Sequence, residues 1–234
     1  MSFFKRAFEF VKQLFKAKTP AKLPEPKAPT EPVPSTPSGP LTREFLTGLY
    51  LNLCHNSSGG VTPYKKIRET SGKNRSPQLD ALIKSQGGSL GEPYCVYGQQ
   101  QAIDDLCSIL MLKRSSVGIP EGGSSQRVFK KSPDRFKKSK PAPMRLVVWQ
   151  YLSDPTHGHF GMCLSDADSN GSFQTFEFNT NPDPSAVVRD GQGAHFVNRN
   201  VSGTRTMKIV GYIDLFEAMA ELAQGLQGPQ DPMV

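Results

Sequence analysis

Hydrophobic positions recur with different periods along the chain, and the changes of period divide it. In residues 2–18, Phe3, Phe4, Ala7, Phe8, Val11, Leu14 and Phe15 fall on one side of a helical wheel, with Lys5, Arg6, Lys12 and Lys16 off it. This spacing predicts an amphipathic helix with a basic polar face over 1–18, suited to lie along an interface. Prolines then recur from Pro20 to Pro40 at intervals of a few residues. Proline fixes φ and removes an amide donor, so 19–40 is predicted to be a semi-rigid spacer rather than helix or strand. At about 3.1 Å per residue it would hold the leading helix well away from whatever follows.

The globular part is predicted over 41–228. Thr42–Leu53 places Phe45, Leu46, Leu49 and Leu53 on one helical face. Pro77–Ser85 does the same with Leu79, Leu82 and Ile83 and ends at Gly87-Gly88. Tyr94–Leu112 is the longest helical stretch, with Ala102, Ile103, Leu106, Ile109 and Leu110 as its buried stripe. Beyond Pro141–Pro143 the chain reads as strands: Leu146–Leu152, Phe160–Ser165, Phe173–Thr180, a weaker Phe196–Val201, and Met207–Ile213. Turn-forming residues from Asp166 to Gly171 predict a hairpin between the second and third. Leu215–Leu226 returns to a helical period. Helices first and strands afterwards argue for the α+β class.

Charge narrows the choice of partner. The chain has 234 residues, a formal net charge of +7 and a sequence pI of about 9.2, which favours an anionic surface or polymer. No apolar run approaches the ~18–20 residues of a membrane span. The leading segment also lacks the uninterrupted apolar stretch and small-residue cleavage site of an ordinary secretory signal. Much of the positive charge lies in Ser115–Lys140, at Arg127, Lys130, Lys131, Arg135, Lys137, Lys138 and Lys140. That segment is expected to be a solvated loop, with electrostatic contact to an anionic surface as its functional alternative. Only Phe129 and Phe136 interleave with these charges, and no nucleic-acid module is present, so no nucleic acid is expected as a partner.

Four cysteines, Cys54, Cys95, Cys107 and Cys163, have no CxxC spacing and are expected to be free thiols. Cys95 differs from the rest because it follows Gly91-Glu-Pro-Tyr94 and opens the longest helix. There the positive end of the helix dipole and the unpaired amides favour an ionised, nucleophilic sulfur. Of the histidines His55, His157, His159 and His195, His159 stands out as the base, between Gly158 and Gly161 at the start of a strand. Glu177 and Asn179, two positions apart on the next strand, are expected to share a face, and either would hold the ring by its second nitrogen. A metal site built from His157, His159 and Cys163, joined by Cys54-His55, is the competing arrangement, but it lacks a zinc-like spacing. No metal or cofactor is expected.

These residues carry a resemblance. Arg68-Glu-Thr-Ser-Gly-Lys-Asn-Arg-Ser-Pro77, Gly91-Glu-Pro-Tyr-Cys95, Gly158-His-Phe-Gly-Met-Cys163 and Thr175-Phe-Glu-Phe-Asn-Thr-Asn181 resemble, in order and spacing, segments of the CHAP and NlpC-like cysteine peptidoglycan hydrolases of phages and bacteria. Phe196–Arg199 and Met207–Tyr212 are similar to their closing strands, so the likeness covers roughly residues 60–214. The resemblance implies a papain-like fold in which the nucleophile helix packs on an antiparallel sheet. It implies Cys95 as nucleophile, His159 as base, Glu177 as the group orienting His159, and Asn179 as its polar neighbour or the alternative orienter. The reaction would be hydrolysis of a cell-wall amide by an amidase or endopeptidase, in a monomer whose partner is bacterial peptidoglycan. Residues 2–18 would engage an anionic membrane or the outer envelope, and the protein would reach the wall through a pore, by membrane disruption or on a virion. Tyr94 replaces the tryptophan common there, Val96-Tyr97-Gly98 replaces a small-small-aromatic run, Phe178 replaces a glycine, and Cys163 an aliphatic residue. Tyr97 and Phe178 are expected to reshape or narrow the cleft. The alternative function is a catalytically inactive, hydrolase-like binding or structural module of a virion or envelope complex.

Overall fold

The computed structural model describes residues 25–27, 39–56, 62–181 and 191–226. The amphipathic helix expected over 1–18 lies outside the described residues. Of the proline-rich spacer, Pro26 is seen against the domain, its carbonyl 2.9 Å from His55 Nε2.

Helix α1 (Arg43–His55) starts where Thr42 Oγ1 accepts from the Phe45 amide at 3.2 Å, and it buries Leu46, Leu49, Tyr50, Leu53 and Cys54. Helix α2 (Pro77–Ser85) is capped by Ser76, whose hydroxyl accepts from the Leu79 amide at 3.1 Å, with Pro77 in the first turn. Helix α3 (Cys95–Ile109) is slightly shorter than its apolar stripe suggested and packs on β3 (Gly158–Cys163) and β4 (Ser172–Thr180). Buried Gln99 fixes it sideways: it accepts from the Tyr50 hydroxyl at 2.9 Å and donates to the Phe176 carbonyl at 2.9 Å. Both ends of that amide are therefore satisfied where water cannot reach.

The basic segment is not merely a solvated loop. Ser125–Lys131 forms helix α4, capped by Ser124, and Lys137–Lys138 forms the short strand β1. Val128 and Phe136 are buried, and the Phe129 ring occupies the space left by the absent side chain of Gly211. Three apolar anchors thus hold a segment whose charges dominate its sequence. Lys137 pairs with Asp134, Lys138 with Glu217 and Arg135 with Glu221.

Strands β2 (Arg145–Tyr151), β3, β4, β5 (Gly193–Asn200) and β6 (Met207–Asp214) join β1 in a six-stranded antiparallel sheet of order β1-β6-β2-β3-β4-β5. Alternation sorts its side chains into two clusters. Leu146, Val148, Phe160, Met162, Phe176, Phe178 and Ile213 belong to the main core with the helices, while Val147, Trp149, Cys163, Phe173 and Tyr212 form a second. Helix α5 (Leu215–Leu226) follows β6 directly. At that junction the fully buried Asp214 accepts from Arg145 Nε at 2.7 Å and from Arg43 Nη2 at 3.0 Å, tying α1, β2 and β6 together. The molecule is therefore α+β, helices on an antiparallel sheet.

Phe178 corrects one expectation. Its ring is fully buried, edge-on to Tyr64 at 5.3 Å and to Phe176 at 5.5 Å, and lies against Gly98. A Cβ at Gly98 would come within 2.1 Å of that ring. Phe178 therefore packs α3 onto the sheet and does not narrow a cleft.

Candidate active site

Helix α3 begins at Cys95 with no side-chain cap: Tyr94 occupies the cap position and makes no capping bond. The first amides of a helix have no partner within it, so unpaired backbone donors are available at the residue that carries the sulfur. Tyr94 instead spans the site, its hydroxyl 3.4 Å from the Gly191 carbonyl beyond β4. Tyr97, one turn on, donates to Glu92 at 2.5 Å and fills the space beside Gly88 and Gly123, so it braces the turn before the nucleophile.

His159 is the second residue of β3, and its ring lies close enough to the Cys95 side chain for the two to interact. Its Nε2 lies 2.8 Å from Glu177 Oε2, which leaves Nδ1 for the sulfur. Cys95 and His159 are each only 5% exposed, and Glu177 is fully buried. Gly161 explains how Glu177 reaches the ring: the two are paired across β3 and β4, and a Cβ at Gly161 would sit 2.7 Å from Glu177 Cγ.

The carboxylate of Glu177 is saturated. Besides His159 it accepts from Thr175 Oγ1 at 2.6 Å, from Arg199 Nε at 2.7 Å, and from Arg199 Nη2. Burial alone would protonate it, but the charge and bonds of Arg199, helped by His159, hold it well below the usual carboxylate range. For His159, burial opposes the charged ring. The neighbouring Cys95 side chain, and the hydrogen bond and negative charge of Glu177, outweigh that and raise its pKa to about 9. Trp149, paired with His159 across β2 and β3, closes the far side, its ring 5.5 Å from the imidazole and 5.1 Å from the Arg199 guanidinium.

Of the four residues read from the sequence, Cys95, His159 and Glu177 come together. Asn179 does not join them. The register slips between Glu177 and Thr180, and Asn179 has φ +54°, so the period of two fails between Glu177 and Asn179. Its Oδ1 accepts from the Gly191 amide at 3.0 Å and shapes the start of the next segment instead. Sequence reasoning missed Arg199 and Trp149. Their signals were an arginine in a strand otherwise half apolar, and the only tryptophan in the chain.

The remaining thiols are buried, and burial pushes Cys54 and Cys163 well above the ordinary range and Cys107 up to about 11. The competing metal grouping is not assembled. His157 lies in an exposed turn on Asp154, 2.7 Å away, and His55 faces Pro26 and Lys65. Among the described residues no three His, Cys, Asp or Glu side chains converge as a metal would need. Compared with models of known protein families the chain matches none, and no curated protein matches it.

A thiol beside an imidazole whose other nitrogen is held by an ionised carboxylate can pass its proton to the ring and so present a thiolate to an electrophile. The ring can then return the proton to a leaving group.

Proposed function

We propose that this chain is a papain-like cysteine hydrolase of the CHAP type that cleaves an amide in bacterial peptidoglycan. The observation that carries this reading is the Cys95–His159–Glu177 alignment, formed by residues that stand in the motifs resembling that family. With the thiol proton already resting on His159, Cys95 Sγ attacks the amide carbonyl carbon. The tetrahedral oxyanion is stabilised by amides at the start of α3. Collapse expels the amine, which leaves with the proton from His159, and a thioester remains on Cys95. Water, deprotonated by His159, then attacks the thioester, releasing a carboxylic acid and restoring the thiol. Arg199 and Thr175 keep Glu177 ionised and fixed, and Glu177 keeps the ring in position throughout.

The basic leading segment and its spacer fit delivery of this domain to an anionic envelope, from which the wall is reached. The test is digestion of purified peptidoglycan, followed by mass spectrometry of the released fragments and assay of new free amines. Wild-type protein releases them and Cys95→Ala does not. Release that survives Cys95→Ala, or absence of release from several wall types, refutes the proposal.

A further inference from the structure

Arg68 is a cation held against the start of β5 by backbone carbonyls. Its Nη1 donates to two carbonyls, Ile67 at 2.7 Å and Ala194 at 2.8 Å, which anchors one end of the guanidinium. Among the described residues no carboxylate pairs with it, and its Nε and Nη2 make no hydrogen bond. The backbone makes room for it: Arg68 bridges Gly193 at the start of β5, where a Cβ would lie 2.5 Å from Arg68 Cδ. On one side of it is Tyr94, the residue before the nucleophile, whose hydroxyl reaches to 3.4 Å from the carbonyl of Gly191, two residues before Gly193. On the other its charge bears on His195, which is paired with Glu177 across β4 and β5. Burial and the Arg68 charge together lower the His195 pKa to about 4, so His195 is neutral at physiological pH and adds no charge of its own. The side chain itself is only partly buried, so a ligand has access to it.

We propose that Arg68 forms an anion subsite on the Tyr94–Gly193 side of the site that binds a carboxylate of the substrate through its Nε–Nη2 edge. That edge matches two carboxylate oxygens in parallel hydrogen bonds, a geometry lysine cannot supply. The substrate class that follows is a peptide with a free carboxylate near the scissile amide. This rests on Cys95 being the nucleophile of the proposed reaction, but not on peptidoglycan being the substrate.

The probe is therefore a pair of small alkylating agents, anionic iodoacetate and neutral iodoacetamide, reacted with the full-length native chain and scored at Cys95 by peptide mass spectrometry. In Arg68→Met the ratio of the iodoacetate to the iodoacetamide rate falls about fivefold, the scale of a partly exposed ion pair, while the iodoacetamide rate is unchanged. Arg68→Lys keeps only part of the ratio, since it keeps the charge but not the parallel pair of hydrogen bonds. An unchanged ratio in Arg68→Met overturns the subsite. So does an equal fall in both rates, which marks Arg68 as a structural residue. If the unmutated chain reacts with neither agent at Cys95, the nucleophile itself is refuted and the subsite with it.

Discussion

Arg199 grips Glu177 with two nitrogens of its guanidinium, and both side chains are buried beneath the residues that would do the chemistry. Removing one member of such a pair leaves an uncompensated charge in a place water does not reach. Arg199→Met is therefore expected to cost about 3–5 kcal/mol of folding stability, measured as a lower urea midpoint. A change below 1 kcal/mol would mean that Glu177 is not held as an ion.

The pH dependence of stability follows from the His159 shift. Its pKa rises from 6.5 to about 9 in the folded chain, so the imidazolium stabilises the fold fully below pH 6.5. That contribution is lost as pH rises through 9. Other groups titrate in the same range, because the buried cysteines ionise more readily once unfolded. The difference between wild type and His159→Gln isolates the one histidine. Melting temperatures of the wild type are expected to fall more steeply than those of the variant between pH 7 and 9, and parallel curves would contradict the shift.

Gly98 offers a test of how α3 is seated. Alanine at an interior helical position ordinarily gains about 1 kcal/mol over glycine. Here its Cβ would overlap the Phe178 ring, which is itself packed against Tyr64 and Phe176 and has nowhere to retreat. Overpacking is expected to win, so Gly98→Ala destabilises by about 1–3 kcal/mol in chemical denaturation.

What was legible in the sequence is what depends on local period. Pro77–Ser85 was legible with the bounds it has because a serine cap, a first-turn proline and an apolar stripe agree, and Leu215–Leu226 because its apolar stripe is clean. The strands were located within a few residues by their alternation. Helix α4 was missed because seven residues dominated by Arg127, Lys130 and Lys131 carry only Val128 and Phe129 as apolar signal. Asn179 was misplaced because a register slip cannot be read from alternation that it breaks. Arg199 escaped because its role depends on a cross-sheet meeting with Glu177, which no spacing within one strand reveals.

The four cysteines are expected to react unequally. Cys54, Cys107 and Cys163 are buried and raised in pKa, so iodoacetamide should label Cys95 alone in the native chain and all four after denaturation. Peptide mapping checks this, and native labelling of Cys107 or Cys163 ahead of Cys95 would run against it.

The most direct measurement is the rate of native Cys95 alkylation at neutral pH in wild type and in His159→Gln, with circular dichroism confirming that both are folded. If the imidazole draws the proton from the sulfur, the rate falls about 10²-fold in the variant, the lower end of what a positioned base contributes. Equal rates in the two proteins would mean that the sulfur and the ring, though adjacent, do not act as a pair.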